Sequence, residues 1–127
     1  MGEFTLKKLN IKKMKKLLVT KEHYPTFPYS VIIKVGEKLI IEKKETIYKN
    51  WVWVTSIDGN YCWIPKSFLK INNCEGIAKE NYDSTELNVK LGEQLSLYRE
   101  ESNWYWVENN NGKFGWVPRD NVELMKT

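Results

Sequence analysis

The residues of this chain with most to offer a ligand are its six tryptophans, and all six fall in two copies of one pattern. The first copy reads Trp51-Val52-Trp53-Val54, then Asp58-Gly59, then Trp63-Ile64-Pro65. The second reads Trp104-Tyr105-Trp106-Val107, then Asn111-Gly112, then Trp116-Val117-Pro118. An indole offers a flat apolar face and one N–H donor, which suits recognition rather than bond making. Groups for catalysis are sparse. His23 is the single histidine, and Cys62 and Cys74 form no CxxC pair. The carboxylates Glu100 and Glu101 are adjacent but belong to a polar loop segment. The sequence shows no Cys–His or Ser–His–Asp set, no phosphate-cradling glycine loop and no metal-ligand cluster. A non-enzymatic chain with no cofactor and no metal is therefore expected. Two thiols without a framework imply free cysteines in a reducing interior, hence a cytoplasmic protein.

Each copy reads as a strand, a tight turn and a second strand ending at proline. An Asp-Gly or Asn-Gly pair between hydrophobic runs is the strongest short hairpin signal, because a type I′ turn needs positive φ at both central residues. Around the hairpins the same order of segments recurs. Leu18-Val19-Thr20 and Gly76-Ile77-Ala78 open the two copies, and Val35-Gly36-Glu37 and Leu91-Gly92-Glu93 are turns. Lys38–Glu42 and Gln94–Tyr98 are strands, and Leu69-Lys70-Ile71 and Val122-Glu123-Leu124 close the copies. The first copy has two extra residues in its first loop and three extra before Trp51. About five short strands per copy predict an all-β chain of two small barrels.

Period-two alternation puts Val52 and Val54 on one face of the hairpin and Trp51 and Trp53 on the other. The second copy separates Tyr105 and Val107 from Trp104 and Trp106 in the same way. The valine face is assigned to the core; the opposite choice would press four indoles into two very small interiors.

The 127 residues allow two units of roughly 50–55 residues, each near the lower limit for independent folding. The expected organisation is a basic N-terminal arm at 1–16, one unit at 17–71, a linker at 72–76 and a second unit at 77–127. That linker spans at most about 17 Å, so the units are expected to be neighbours; the chain is expected to be a monomer. No stretch approaches the roughly 18–20 apolar residues of a membrane span, and the N-terminus lacks the apolar core of a secretion signal. The net charge of +4 is unevenly placed along the sequence, basic at the start and acidic from residue 75 on. The Lys-rich arm reads either as a solvated tail or as a contact for an anionic surface.

With these residues in order, the chain resembles the SH3 domain, twice over, and in particular the bacterial tandem variant-SH3 proteins. The second copy shows Ala78-Lys79-Glu80-Asn81-Tyr82, Gly92-Glu93, Trp104-Tyr105 and Gly115-Trp116-Val117-Pro118-Arg119-Asp120-Asn121-Val122. The first shows Thr20-Lys21-Glu22-His23-Tyr24, Gly36-Glu37, Trp51-Val52 and Trp63-Ile64-Pro65-Lys66-Ser67-Phe68-Leu69. The resemblance implies a non-catalytic binder of extended, proline-rich peptides held in an aromatic groove, where a polyproline helix loses little entropy. It implies one groove from Tyr24, Trp51, Trp63, Pro65 and Phe68. A second would comprise Tyr82, Trp104, Trp116 and Pro118, with Asp83 and Glu86 as acids facing a basic ligand. The family's first opening tyrosine is replaced by Glu22 and Glu80, and its closing tyrosine by Phe68 and Asn121. Pro25-Thr26-Phe27-Pro28 is itself a PxxP string, read as a stiff loop or as a ligand for a neighbouring groove. Two other functions compete: a cell-wall peptide binder, and a nucleic-acid or anionic-surface binder acting through the Lys-rich arm.

Overall fold

A computed structural model describes residues 15–25 and 29–126; most of the N-terminal arm and most of the PxxP string lie outside these residues. The described chain is all-β, with only two single 3₁₀ turns besides its strands. The strands are β1 (Lys15–Val19), β2 (Ile32–Ile33), β3 (Lys38–Glu42), β4 (Trp51–Ser56), β5 (Tyr61–Pro65) and β6 (Leu69–Asn72). They continue as β7 (Glu75–Ala78), β8 (Tyr82–Asp83), β9 (Gln94–Glu101), β10 (Trp104–Glu108), β11 (Phe114–Pro118) and β12 (Val122–Leu124). The SH3-like small-barrel class expected from the sequence is the class observed.

The chain divides into two units, but not at residues 72–76. One, here the central unit, is Thr26–Glu86; the other, the terminal unit, joins Met1–Pro25 to Leu87–Thr127. The terminal unit carries the sheet β11-β10-β9-β1-β12. The central unit carries the sheet β5-β4-β3-β7-β6 and the short pair β2-β8. These orders match strand for strand, except that each unit's opening strand comes from the other copy. β1 lies between β9 and β12, with Leu17 opposite both Leu95 and Leu124. β7 lies between β3 and β6, with Gly76 opposite both Leu39 and Ile71.

The exchange has a local cause. β6 and β7 are joined by Asn73 and Cys74 alone, with Asn72 paired to Glu75 across the turn and Asn73 at φ 57°. A two-residue connection makes a hairpin and cannot carry the next strand elsewhere. The expected linker is therefore a hairpin tip of the central unit, and β7 fills the position that β1 would otherwise take. The first loops are shared out as well. In the terminal unit His23 bridges to Val89, while in the central unit β2 pairs with β8.

The terminal unit's core is Leu17, Val19, Leu87, Val89, Leu95, Tyr105, Val107, Val117 and Val122. Tyr105 and Val107 thus point inward, and Trp104 and Trp106 lie on the opposite face, half-buried. In the central unit Leu39, Val54, Cys62 and Ile64 are buried, with Val54 directly across from Cys62. Trp51 and Trp53 lie on the other face but are not open to solvent, at 9% and 5% exposure. Neighbours cover Trp53: Trp63 and Tyr61 stand 5.3 and 5.2 Å from its ring.

Candidate functional site

The two grooves expected from the sequence are regrouped by the exchange. Tyr24 belongs to the terminal unit with Trp104, Trp116 and Pro118. Tyr82, Asp83 and Glu86 belong to the central unit with Trp51, Trp63, Pro65 and Phe68. Neither set is brought together as first read, because the first loop and the hairpin of each unit come from different copies.

In the central unit the groove residues pack on one another. The Phe68 ring meets the Tyr82 ring edge-on at 5.0 Å, and the Tyr82 hydroxyl donates to the Trp63 carbonyl at 2.8 Å. Burial first, then nearby negative groups, pushes the Tyr82 phenol well above its ordinary range. Tyr82, Phe68 and Pro65 are buried, as is Trp51, so little ring surface is left for a ligand. Asp83 also serves its own loop: its Oδ1 accepts from the Thr85 backbone N–H at 2.9 Å and from the Thr85 hydroxyl. Glu86 is half-buried.

In the terminal unit the corresponding surface is open at one side. His23 and Val89 exchange both backbone hydrogen bonds, at 3.1 and 3.0 Å, which fixes the segment leaving β1. The His23 ring then meets the Trp104 ring edge-on at 5.6 Å. Tyr24, one residue on, is 59% exposed, and its hydroxyl donates to Glu22 Oε1 at 3.2 Å. The Glu22 charge and this bond raise the Tyr24 phenol above its ordinary value. Trp104 opens β10 opposite Pro118, after Ser102 and Asn103 turn the chain at φ 41° and 77°. Trp116 and Pro118 are buried, and the Trp116 ring packs on Trp106 at 5.2 Å.

Asn121 stands where the resemblance calls for the closing tyrosine. It is buried, and its side-chain Nδ2 donates to the carbonyls of Glu22 and Lys21 at 3.0 and 3.3 Å. Its own carbonyl accepts from Thr20 and Lys21 N–H at 2.9 and 3.2 Å. Asn121 therefore holds the strand supplied by the other copy and offers no ring to a ligand. Sequence reading had no signal for this, since the partners lie about a hundred residues away.

The acidic excess of the second copy is offset, within the terminal unit, by the basic segment that joins it. The described terminal residues carry eight basic and seven acidic side chains, and the central ones eight of each. Glu100 is paired with Arg119 at 2.8 Å and Glu101 with Arg99 at 3.1 Å. The exposed Glu100–Arg119 pair stabilises by only about 0–1 kcal/mol, while Glu101 of the other pair is half-buried.

Both cysteines are free thiols, Cys74 exposed and Cys62 buried. Burial pushes the Cys62 thiol up to about 12, which keeps it protonated and unreactive. Gly115 occupies the matching position of the terminal unit. A Cβ there would stand 2.8 Å from the Leu87 backbone nitrogen, which donates to the Trp116 carbonyl at 3.0 Å. No group of three or more potential metal ligands occurs among the described residues. No helix among them is long and apolar enough to cross a membrane.

Among known families, residues 73–125 match the variant SH3 domain. No curated protein and no solved structure matches the chain. The matched span begins in the β6–β7 turn and runs through β12, so it takes in β7, which closes the central unit, and excludes β1. SH3-type domains are in general non-catalytic binding modules.

Proposed function

We propose that the protein binds extended peptide segments, proline-containing ones included, at the Tyr24–Trp104 surface of the terminal unit, without catalysis. The observation that carries this reading is the exposed Tyr24, next in sequence to His23, whose ring meets the half-buried Trp104 edge-on. An exposed tyrosine and a half-buried tryptophan cross-strand from a proline suit a polyproline helix, whose rings pack on flat side chains at little entropic cost. Glu22, bonded to the Tyr24 hydroxyl, and Asp120, exposed two residues after Pro118, tolerate a basic residue beside the prolines. The central unit, whose matching rings are packed together, contributes framework to this reading rather than a second groove.

The test is a display of proline-rich and proline-free peptides against the full chain, followed by titration of the selected peptide. Trp104→Ala is expected to lose about 2 kcal/mol of binding, roughly thirtyfold, as for an aromatic hot spot. Tyr24→Ala should lose less, and Trp51→Ala should leave the affinity within a few-fold. Unchanged binding by the Trp104 variant would remove this surface from consideration. The Lys-rich arm, which motivated a nucleic-acid or anionic-surface reading, lies almost wholly outside the described residues. Its last two members are Lys15 and Lys16 of β1, and the Lys16 ammonium donates to Ser96 Oγ at 2.7 Å.

A further inference from the structure

The outer face of each hairpin carries a second aromatic group, beyond the Trp that lines the groove. In the central unit Trp53 is joined by Trp63 and Tyr61, with Tyr29 edge-on to Tyr61 at 6.3 Å. The Lys44 ammonium lies over the Trp53 ring, 3.9 Å from its centre. In the terminal unit Trp106 is joined by Trp116 at 5.2 Å and by Phe114, stacked at 6.1 Å with 21° between planes. Tyr98 packs on Phe114 at 5.3 Å. Phe114 is 40% exposed, and Trp106 and Tyr98 are half-buried. No cation among the described residues lies over Trp106.

Loop length accounts for the difference. Lys44 belongs to the loop before Trp51, and the corresponding loop before Trp104 is three residues shorter. The terminal unit thus keeps the aromatic face and loses the loop that brings a cation to it. It also keeps a carboxylate there. Glu108 is cross-strand from Phe114, and its Oε1 accepts the Tyr98 hydroxyl at 2.7 Å. Arg99, opposite Trp106, has its Nε on Glu101 Oε2 at 3.1 Å, so its charge is offset locally.

We infer that the Tyr98–Trp106–Phe114 face of the terminal unit is a docking site for a lysine ammonium of a partner polypeptide. The ring quadrupole attracts the cation and the Glu108 carboxylate supplies the complementary charge, as Lys44 and Trp53 display within the central unit. The site adjoins the Tyr24–Trp104 surface through Trp116, which packs on Trp106, but does not require Tyr24 or Trp104 to bind.

The six indole N–H signals of the ¹⁵N-labelled full chain read the two sites apart. The chain is titrated at constant ionic strength with Nα-acetyl-lysine methylamide, with its uncharged norleucine counterpart and with cellotetraose. The expected result is a saturable shift of the Trp106 indole with the lysine compound alone, weakened severalfold in Glu108→Gln. A still Trp106 signal, or one that moves equally with norleucine or with the sugar, would overturn the assignment. A shift confined to Trp104 would also overturn it, while leaving the groove reading intact.

Discussion

The terminal and central units are built from the same strands in the same order, yet they close in chemically different ways. The central unit is sealed by rings: Phe68 on Tyr82, and Trp53 beneath Lys44. The terminal unit is sealed by backbone hydrogen bonds through a buried amide, Asn121, and by the close approach of Leu87 to Gly115. Where aromatic rings do the closing they are consumed by it. Where an amide and a glycine do it, Tyr24, Trp104, Trp106 and Phe114 stay reachable. A duplicated framework can thus assign folding to one copy of a surface and recognition to the other.

Removing β1 is the most forceful way to break this comparison. Leu17 is fully buried on an interior strand of the terminal sheet. Leu17→Ala should cost about 2–5 kcal/mol, measured by denaturant unfolding. Hydrogen exchange should place the loss in β9–β12 and leave β3–β7 protected. A loss centred on β3 and β4 would mean that each copy closes on its own first strand. Gly115→Ala comes next. Its Cβ would collide with backbone, so about 1–3 kcal/mol of destabilisation is expected from melting curves. Cys62→Ala, at the matching position, removes one buried sulfur and should cost about 1 kcal/mol.

Smaller effects sharpen the contrast. Native protein treated with a thiol reagent at pH 8 should lose one thiol quickly, Cys74, and the second only on unfolding. Tyr98 offers a pH signature. Burial, then its bond to Glu108, pushes its phenol up to about 12 from 10.0. The folded state therefore holds this proton more tightly than the unfolded chain does. The associated stability is present below about pH 10 and is lost as pH rises toward 12. Tyr98→Phe should flatten that part of the pH–stability curve, a small change because the group is only partly buried.

Much of the architecture was legible in the sequence because it rests on local signals. Asp58-Gly59 and Asn111-Gly112 mark the two hairpins, but only the glycines take positive φ, 86° and 80°, so the turns are not the expected type I′. Gly59 N–H donates to the Ser56 carbonyl and Gly112 N–H to that of Asn109, with the glycine alone left-handed. Alternation placed Val107 and Tyr105 inward and Trp104 and Trp106 outward. The exchange of opening strands was not legible, although its cause was present: Asn73-Cys74 is too short to be anything but a turn once Leu69–Asn72 and Glu75–Ala78 are both strands. Reading 72–76 as a linker hid the hairpin, and the grooves were then composed from the wrong halves. The burial of Tyr82 and Phe68, and the part played by Asn121, depend on contacts between distant segments, which no local pattern reports. The second tryptophan of each pair, Trp53 or Trp106, was assigned to the outer face but to no site. The length of the preceding loop, already visible as a three-residue difference, was the overlooked clue.

The most direct test of the exchanged closure is a cross-strand cysteine pair in a chain lacking Cys62 and Cys74. Leu18 lies opposite Glu123 in the structure, whereas closure within one copy would set Leu18 opposite Lys70. On oxidation the monomeric Leu18→Cys, Glu123→Cys protein should cross-link readily and the Leu18→Cys, Lys70→Cys protein should not. Cross-linking of the second pair in place of the first would contradict the account.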